Sequence, residues 1–270
     1  MKLQRLFPCF ALAALLPVGT SCEKVITLDL KDSEPRFVVE ASVNAGETIH
    51  KVEITKSIKF SEINSFPAVS GAVVTLSDDD GNSEVLVEST PGVYLSATLL
   101  GVEGHTYVLN IKVEGKEFVS SSTIPLKVNL EALFFIDDNF GGNNGKIAVP
   151  IRQDPAGIQN SYKFEMQVSR FKDNIGWERD QALLIQNDDF SDGVVSQQPI
   201  FGSLGAFFQG DTCKIEMYCI DKNVYQYFYS LAQNGQNGAA TPANPVSNIS
   251  NGCLGYFTAQ TKQTLTAIVP

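Results

Sequence analysis

Clustered oxygen-bearing side chains are the first feature of this sequence that could do chemistry. Two loops carry them: Asp137, Asp138 and Asn139 in one, and Asp188, Asp189 and Asp192 in the other. Hard cations such as Ca²⁺ prefer carboxylate and amide oxygens, so both loops are candidates for calcium. Neither has the EF-hand spacing with its terminal Glu. A third acidic run, 78–82, has the composition of a hairpin turn, which explains it better than an ion does. We expect no other cofactor.

Residues that commonly carry catalysis are scarce. The two histidines, His50 and His105, fall at a strand start and in a turn, where we expect them to be exposed and without a catalytic role. The sequence has no Gly-x-Ser-x-Gly elbow, no phosphate-binding glycine loop and no His-Glu-x-x-His. We therefore nominate no catalytic residue and predict that the protein is not an enzyme.

Three aromatic residues on predicted loops could contact a ligand. Trp177 lies in a polar stretch between predicted strands, and Phe207-Phe208 follows a glycine-rich segment. Carbohydrate- and peptide-binding surfaces use exposed aromatic rings of this kind, so a glycan or a peptide is the ligand class that these residues indicate. The alternative is that the rings cover the core.

The charge balance argues against nucleic acid as a partner. The formal net charge is −10, from 20 basic and 30 acidic residues among 270. A surface with this excess of carboxylates repels a phosphate backbone.

The N-terminus has the pattern of an export signal. Lys2 and Arg5 precede an apolar stretch, 6–16, which is too short to span a bilayer. Small residues then lead to Cys22, as in a lipoprotein signal cleaved before the cysteine. We predict a signal peptide at 1–21, lipidation of Cys22 and a tether over 22–36. Acyl chains on Cys22 would hold the protein on a membrane without a spanning segment.

Three cysteines remain after Cys9 leaves with the signal and Cys22 is acylated. Cys213 and Cys219 lie six residues apart in a strand-like run, too far apart to pair with each other. Either of them could form a disulfide with Cys253 in an oxidising compartment. Buried free thiols fit the sequence equally well.

Period-two alternation of apolar residues dominates the mature chain and predicts an all-β protein. Short alternating runs separated by turn residues, such as 107–113, predict a β-sandwich of immunoglobulin-like or transthyretin-like type over 37–125. Residues 126–270 predict a second, β-rich domain. One helix is expected there, capped by Asp221 and ending near Gly235, with its apolar stripe packed on a sheet. We also place Val85 and Val87 on one buried strand face.

Several segments together resemble a family of exported lipoproteins, domain-of-unknown-function family 4249. The matching segments are 22–26, 35–40, 69–81, 91–94, 104–107, 245–249 (Pro-Val-Ser-Asn-Ile) and 254–257 (Leu-Gly-Tyr-Phe). The resemblance implies a lipoprotein of the Gram-negative outer membrane, associated with a TonB-dependent nutrient transporter. It supplies no catalytic residues and does not say which side of the membrane the protein faces.

The resemblance favours a non-catalytic accessory or ligand-binding subunit of a TonB-dependent uptake system. Two alternatives stay open at this point. The first is a structural or adhesive cell-surface protein, and the second is a hydrolase that acts on a polymer.

Overall fold

Strands make up most of the structure, as the alternation predicts. The computed structural model describes residues 34–59, 66–138, 145–172, 176–236 and 244–270. The predicted signal peptide, Cys22 and the tether up to residue 33 lie outside them. The elements are β1 (Phe37–Asn44), β2 (Lys51–Lys56), β3 (Val73–Asp78), β4 (Ser83–Val85), β5 (Val87–Thr90), β6 (Val93–Leu95), β7 (Thr106–Val113), β8 (Lys116–Thr123), β9 (Leu130–Asp137), β10 (Lys146–Gln153), β11 (Ser161–Ser169), β12 (Trp177–Arg179), β13 (Leu184–Asn187), β14 (Val195–Ser196), β15 (Thr212–Cys219), α1 (Lys222–Gln236) and β16 (Leu254–Ile268).

The N-terminal half is a β-sandwich. One layer has the strand order β4-β3-β7-β8, and the other contains β1, β2, β6 and β5. The inward-facing residues of the two layers form one apolar cluster, in which Val39, Ile54, Leu76 and Leu109 are almost fully buried. Burial on this scale, at about 25 cal/mol per Å² of apolar surface, is the main force that holds the layers together.

The C-terminal half is a second sandwich. Strands β12, β11, β15 and β16 form one layer, with β13 also paired to β11, and β14-β10-β9 form the other. Its separate core includes Tyr162, Phe164, Met166 and Ile215. These residues are the ones that the period-two pattern of the sequence assigns to the inside.

Strand β16 joins the two halves. Its first part pairs in parallel with β1, from Leu254 to Gln260, and its second part pairs antiparallel with β15, from Thr261 to Ile268. The result is a single nine-stranded sheet, and 34–270 forms one compact unit. The predicted domains are 37–125 and 126–270, and the N-terminal core also includes residues such as Phe257 from the last strand.

Gly255 makes this junction sterically feasible. Its φ is +89°, and a Cβ placed there would lie 2.0 Å from the carbonyl oxygen of Val39. Only glycine allows β16 to come this close to β1 with such a backbone conformation.

Helix α1 packs on the outer face of the large sheet. Asp221 caps it, because its Oδ1 accepts a hydrogen bond from the Val224 amide at 2.9 Å. Val224, Tyr227 and Phe228 are buried against the sheet as the stripe predicts, whereas Leu231 is exposed. Within the described ranges, no helix combines the length and apolarity that crossing a bilayer requires.

The predicted inward face of Val85 and Val87 is wrong. Leu86, between them, is buried, and both valines are exposed. Because β4 ends at Val85 and β5 begins at Val87 in the opposite layer, the chain crosses between layers with Leu86 pointing into the core.

Candidate functional site

Exposed apolar side chains gather at one end of the C-terminal sheet. We call this surface the aromatic end and define it by Phe171, Trp177, Phe208 and Ile268, which are 44–74% exposed. Trp177 and Phe208 were predicted as contact residues, whereas Phe171 and Ile268 were not. The sequence does not show that Phe171 and Ile268 reach this surface, because Phe171 lies in a hairpin turn and Ile268 lies in the last strand.

Strand register brings two of these residues into one row. Trp177 pairs with Ser169, Ser169 with Thr212, and Thr212 with Ile268, across β12, β11, β15 and β16. Residues directly opposite each other on paired strands point to the same face. Trp177 and Ile268 therefore mark the two ends of one exposed cross-strand row.

The carboxylate of Asp211 positions the two phenylalanines. Its Oδ1 accepts a hydrogen bond from the Phe171 amide, and its Oδ2 accepts one from the Phe208 amide, both at 3.0 Å. Arg170 donates to the same Oδ2 at 3.0 Å. Burial alone would raise the pKa of Asp211, but these hydrogen bonds outweigh it and lower the pKa, so the carboxylate stays charged.

Basic side chains border the aromatic end. The Lys214 ammonium lies 5.3 Å from the centroid of the Trp177 ring, within range of a cation–π interaction. A neighbouring hollow of about 290 Å³ is lined by Arg170, Lys172, Phe208, Gln209 and Asp211. Aromatic rings next to an arginine are the composition of a binding hot spot.

Phe207 does not belong to this surface, which corrects the sequence prediction. It is 1% exposed, in the C-terminal core, with its ring centroid 6.2 Å from that of Phe135. Neighbouring residues of an extended chain point to opposite sides, so Phe207 faces inward while Phe208 faces solvent.

A polar groove of about 370 Å³ lies where the two halves share the large sheet. Its wall combines hydroxyl, amide, amino, carboxylate and phenol groups from both halves. The lining residues are Ser42, Asn44, Glu47, Lys163, Glu165, Tyr218, Tyr256, Thr258, Gln260 and Lys262. No sequence pattern indicates this groove, because it depends on the junction that β16 makes.

Hydrogen bonds and ion pairs organise the groove. Tyr218 donates to Glu216 at 3.0 Å, and Lys163 pairs with Glu165 at 2.9 Å. Burial alone would raise the pKa of Glu165, but Lys163 and the neighbouring Arg179 outweigh it and lower the pKa. Glu165 is therefore a charged carboxylate at neutral pH and can accept hydrogen bonds from a polar ligand.

The described residues of the first predicted calcium loop make contacts within the protein. Asp137 pairs with Lys146 at 2.6 Å, and the Asp138 amide donates to the Gly145 carbonyl. Asn139 lies outside the described residues. The 78–82 run forms the expected turn, since Asp78 accepts hydrogen bonds from the amides of Asp80 and Asn82.

The second acidic loop lies next to Asp154, a neighbour that the sequence does not indicate. The carboxylates of Asp188 and Asp192 come together with that of Asp154, whereas Asp189 is exposed and bonded to Asn187. Another group at the surface is formed by Asp79, Asp80 and His105, with His105 Nδ1 2.9 Å from Asp79 Oδ1.

All three described cysteines are buried free thiols, which is the second of the two alternatives that the sequence leaves open. Cys213 and Cys219 belong to the C-terminal core, and Cys253 belongs to the N-terminal core. His50 is also buried, contrary to expectation, with Nε2 2.8 Å from the Leu99 carbonyl oxygen. Burial lowers the pKa of His50, so the ring is neutral at pH 7 and part of the packing.

Taken together, strand pairing and core placement define an all-β protein of two β-sandwiches sharing one sheet, with a single docked helix among the described residues. The family model described as domain of unknown function, DUF4249, matches residues 23–266, and the chain belongs to this family. The predicted membership of this family is thereby confirmed, whereas lipidation and association with a transporter stay predictions.

Comparison with other proteins adds little detail. No curated protein matches the chain. Among solved structures, a segment of two fibronectin type III domains from chicken tenascin is similar at 10% identity, covering 87% of this chain and 100% of that chain, with a TM-score of 0.24. At this score the fold class rests on the strand pairing of the chain itself.

Proposed function

We propose that this protein is a non-catalytic accessory subunit of a TonB-dependent nutrient uptake system, anchored to the outer membrane through acylated Cys22. The observation that carries the proposal is the aromatic end, which we assign as the surface that contacts the transporter. The family match begins at Glu23, one residue after Cys22, as the body of a mature lipoprotein would.

The energetics of the aromatic end favour a protein partner. Phe171 is 74% exposed and Trp177 is 51% exposed, so covering them would remove a large apolar area from water at about 25 cal/mol per Å². Lys172 and Lys214 give this end positive charges in a chain whose net charge is −10. A partner patch with an apolar centre and an acidic rim would complement it.

The polar groove supports a second, compatible role as a ligand-binding site. Its donors and acceptors are held in place by the Lys163–Glu165 and Lys262–Glu216 ion pairs. Tyr218 and Tyr256 add aromatic rings to the wall. This mixture suits a glycan or a peptide, both of which present alternating polar and apolar faces.

Gentle detergent extraction of the tagged native protein, followed by mass spectrometry, tests the proposal. We expect a TonB-dependent transporter in about equal amount with the wild-type protein and its loss with the unanchored Cys22→Ala form. Recovery of the wild-type lipoprotein alone would contradict the proposal and favour an adhesive protein. Turnover of a polymer, abolished by Glu165→Gln or Glu216→Gln, would favour a hydrolase.

A further inference from the structure

A buried acidic cluster in the C-terminal half has unused oxygen ligands. We define the acidic cluster by Asp154, Asp188 and Asp192, each of which offers a carboxylate oxygen within 4.8 Å of the others. Asp154 follows β10, Asp188 follows β13, and Asp192 lies in the turn before β14. The cluster therefore connects two segments that are distant in sequence, the one that follows β10 and the 188–192 loop.

Two of the three carboxylates, those of Asp154 and Asp188, are buried. Asp154 is 1% exposed and Asp188 is 3% exposed. Asp154 Oδ1 accepts a hydrogen bond from the Tyr162 hydroxyl, while its Oδ2 is buried and has no hydrogen-bond partner. A buried carboxylate oxygen without a partner costs free energy unless a ligand satisfies it.

Neutral oxygens beside the cluster are unsatisfied as well. Asn160 is 5% exposed, and its Oδ1 has no partner, like the Oγ of buried Ser191. Both residues are tied to Asp188: the Asn160 amide donates to Asp188 Oδ2 at 2.6 Å, and the Ser191 amide donates to the Asp188 carbonyl at 2.8 Å. Asp192 Oδ1 accepts a hydrogen bond from the Gly157 amide at 2.7 Å, so the buried oxygens left without a partner here are Asp154 Oδ2, Asn160 Oδ1 and Ser191 Oγ.

The buried cation Arg152 offsets the charge of the acidic cluster only in part. Arg152 is fully buried, but its guanidinium carbon lies 4.2 Å from the Tyr162 ring centroid, and its nitrogens donate no hydrogen bond to Asp154. One positive charge against three carboxylates leaves the group with a net negative charge. A divalent cation would balance it.

We propose that the acidic cluster binds a calcium ion, with Asp154, Asp188 and Asp192 as charged ligands and Asn160 Oδ1 as a neutral one. Ca²⁺ accepts six to eight oxygen ligands in variable geometry, so water or backbone carbonyls can complete the shell. Zn²⁺ fits poorly because the group contains neither cysteine nor histidine. The bound ion fixes the 154–160 loop to the 188–192 turn, and so to the short strand β14.

Calcium binding to the full-length protein in detergent tests this proposal. After EGTA treatment and removal of the chelator, Ca²⁺ titrated by calorimetry is expected to bind with one ion per chain and to raise Tm. Tb³⁺ used as a probe is expected to show luminescence excited through the Tyr162 phenol, and excess Ca²⁺ is expected to suppress it.

Single Asp→Asn substitutions test which residues bind the ion. Asp192→Asn changes an exposed ligand and keeps an oxygen that can accept the hydrogen bond from the Gly157 amide, and Asp188→Asn changes a buried ligand. We expect each to weaken Ca²⁺ binding at least about 10-fold, by analogy with the loss of groups that support metal ligands. The matched control is Asp189→Asn, which removes the same charge one residue away and leaves affinity unchanged, as does Asp79→Asn.

Three outcomes would overturn the proposal. The first is the absence of saturable Ca²⁺ binding to the folded wild-type protein at millimolar concentrations. The second is binding that Asp192→Asn leaves intact, and the third is binding that Asp79→Asn removes. Circular dichroism of each variant separates loss of the ligand from loss of the fold.

Discussion

The side-chain amide of Asn248 substitutes for a neighbouring strand along the backbone of Phe257. Its Nδ2 donates to the Phe257 carbonyl at 2.7 Å, and its Oδ1 accepts from the Phe257 amide at 3.0 Å. Phe257 is fully buried in the N-terminal core. The Pro-Val-Ser-Asn-Ile segment of the family resemblance therefore has a structural role, which is to hold β16 in the N-terminal sandwich.

Replacing Asn248 should destabilise the whole molecule. Asn248→Ala leaves a buried N–H and a buried C=O without partners, and we expect the free energy of unfolding to fall by about 2–4 kcal/mol. Urea unfolding followed by circular dichroism measures this. The control is Ser247→Ala, in the same segment, for which we expect less than about 1 kcal/mol. Equal losses in the two variants would refute the assigned role of Asn248.

Acid should remove the stabilisation that Asp180 provides. Burial alone would raise the pKa of Asp180, but hydrogen bonds from Ser203, Ala182 and Leu204 outweigh it and lower the pKa below 3.8. The folded-state pKa is thus below the unfolded one. The contribution of Asp180 to the free energy of unfolding is therefore present above pH 3.8. It is lost as the pH falls through the folded-state pKa of Asp180.

The test of this linkage compares the wild-type protein with Asp180→Asn. We expect the variant to be less stable at pH 7 by about 1–3 kcal/mol, because one acceptor oxygen becomes a donor facing backbone amides. The difference in the free energy of unfolding between the two proteins should narrow as the pH falls below 3.8, because the unfolded state then binds a proton at Asp180 before the folded state does. A difference that stays constant between pH 7 and pH 3 would show that Asp180 is not responsible.

The three buried cysteines should react only after unfolding. Burial raises the pKa of the Cys213 and Cys253 thiols to about 12, so they carry almost no thiolate at neutral pH. We expect no reaction with a thiol reagent in the native protein and three thiols per mature chain in urea without reductant. A count of one thiol would instead reveal a disulfide.

Local patterns predict the strands well, because alternation is a property of each strand alone. Tyr107, Leu109 and Ile111 are buried as their spacing indicates. The same reasoning cannot identify strand partners. The run 254–268 reads as a closing strand, but nothing in it shows that one half pairs with β1 and the other with β15.

The candidate sites were predicted only in part, for a related reason. Asp188 and Asp192 are close in sequence, so the acidic loop was visible, but Asp154 lies more than thirty residues earlier and joins them only through tertiary structure. Trp177 and Phe208 were found by residue type. Phe171 was not, because it lies in a turn whose position is set by Asp211.

Site-specific photo-crosslinking in the native outer membrane tests the assigned transporter surface most directly. A photoreactive amino acid replaces Trp177, at the aromatic end, or Val87, which is 70% exposed on the edge strand β5 of the N-terminal sandwich. We predict that position 177 crosslinks to a TonB-dependent transporter and position 87 does not. Crosslinking from position 87 alone, or from neither position in a folded protein, would contradict the account.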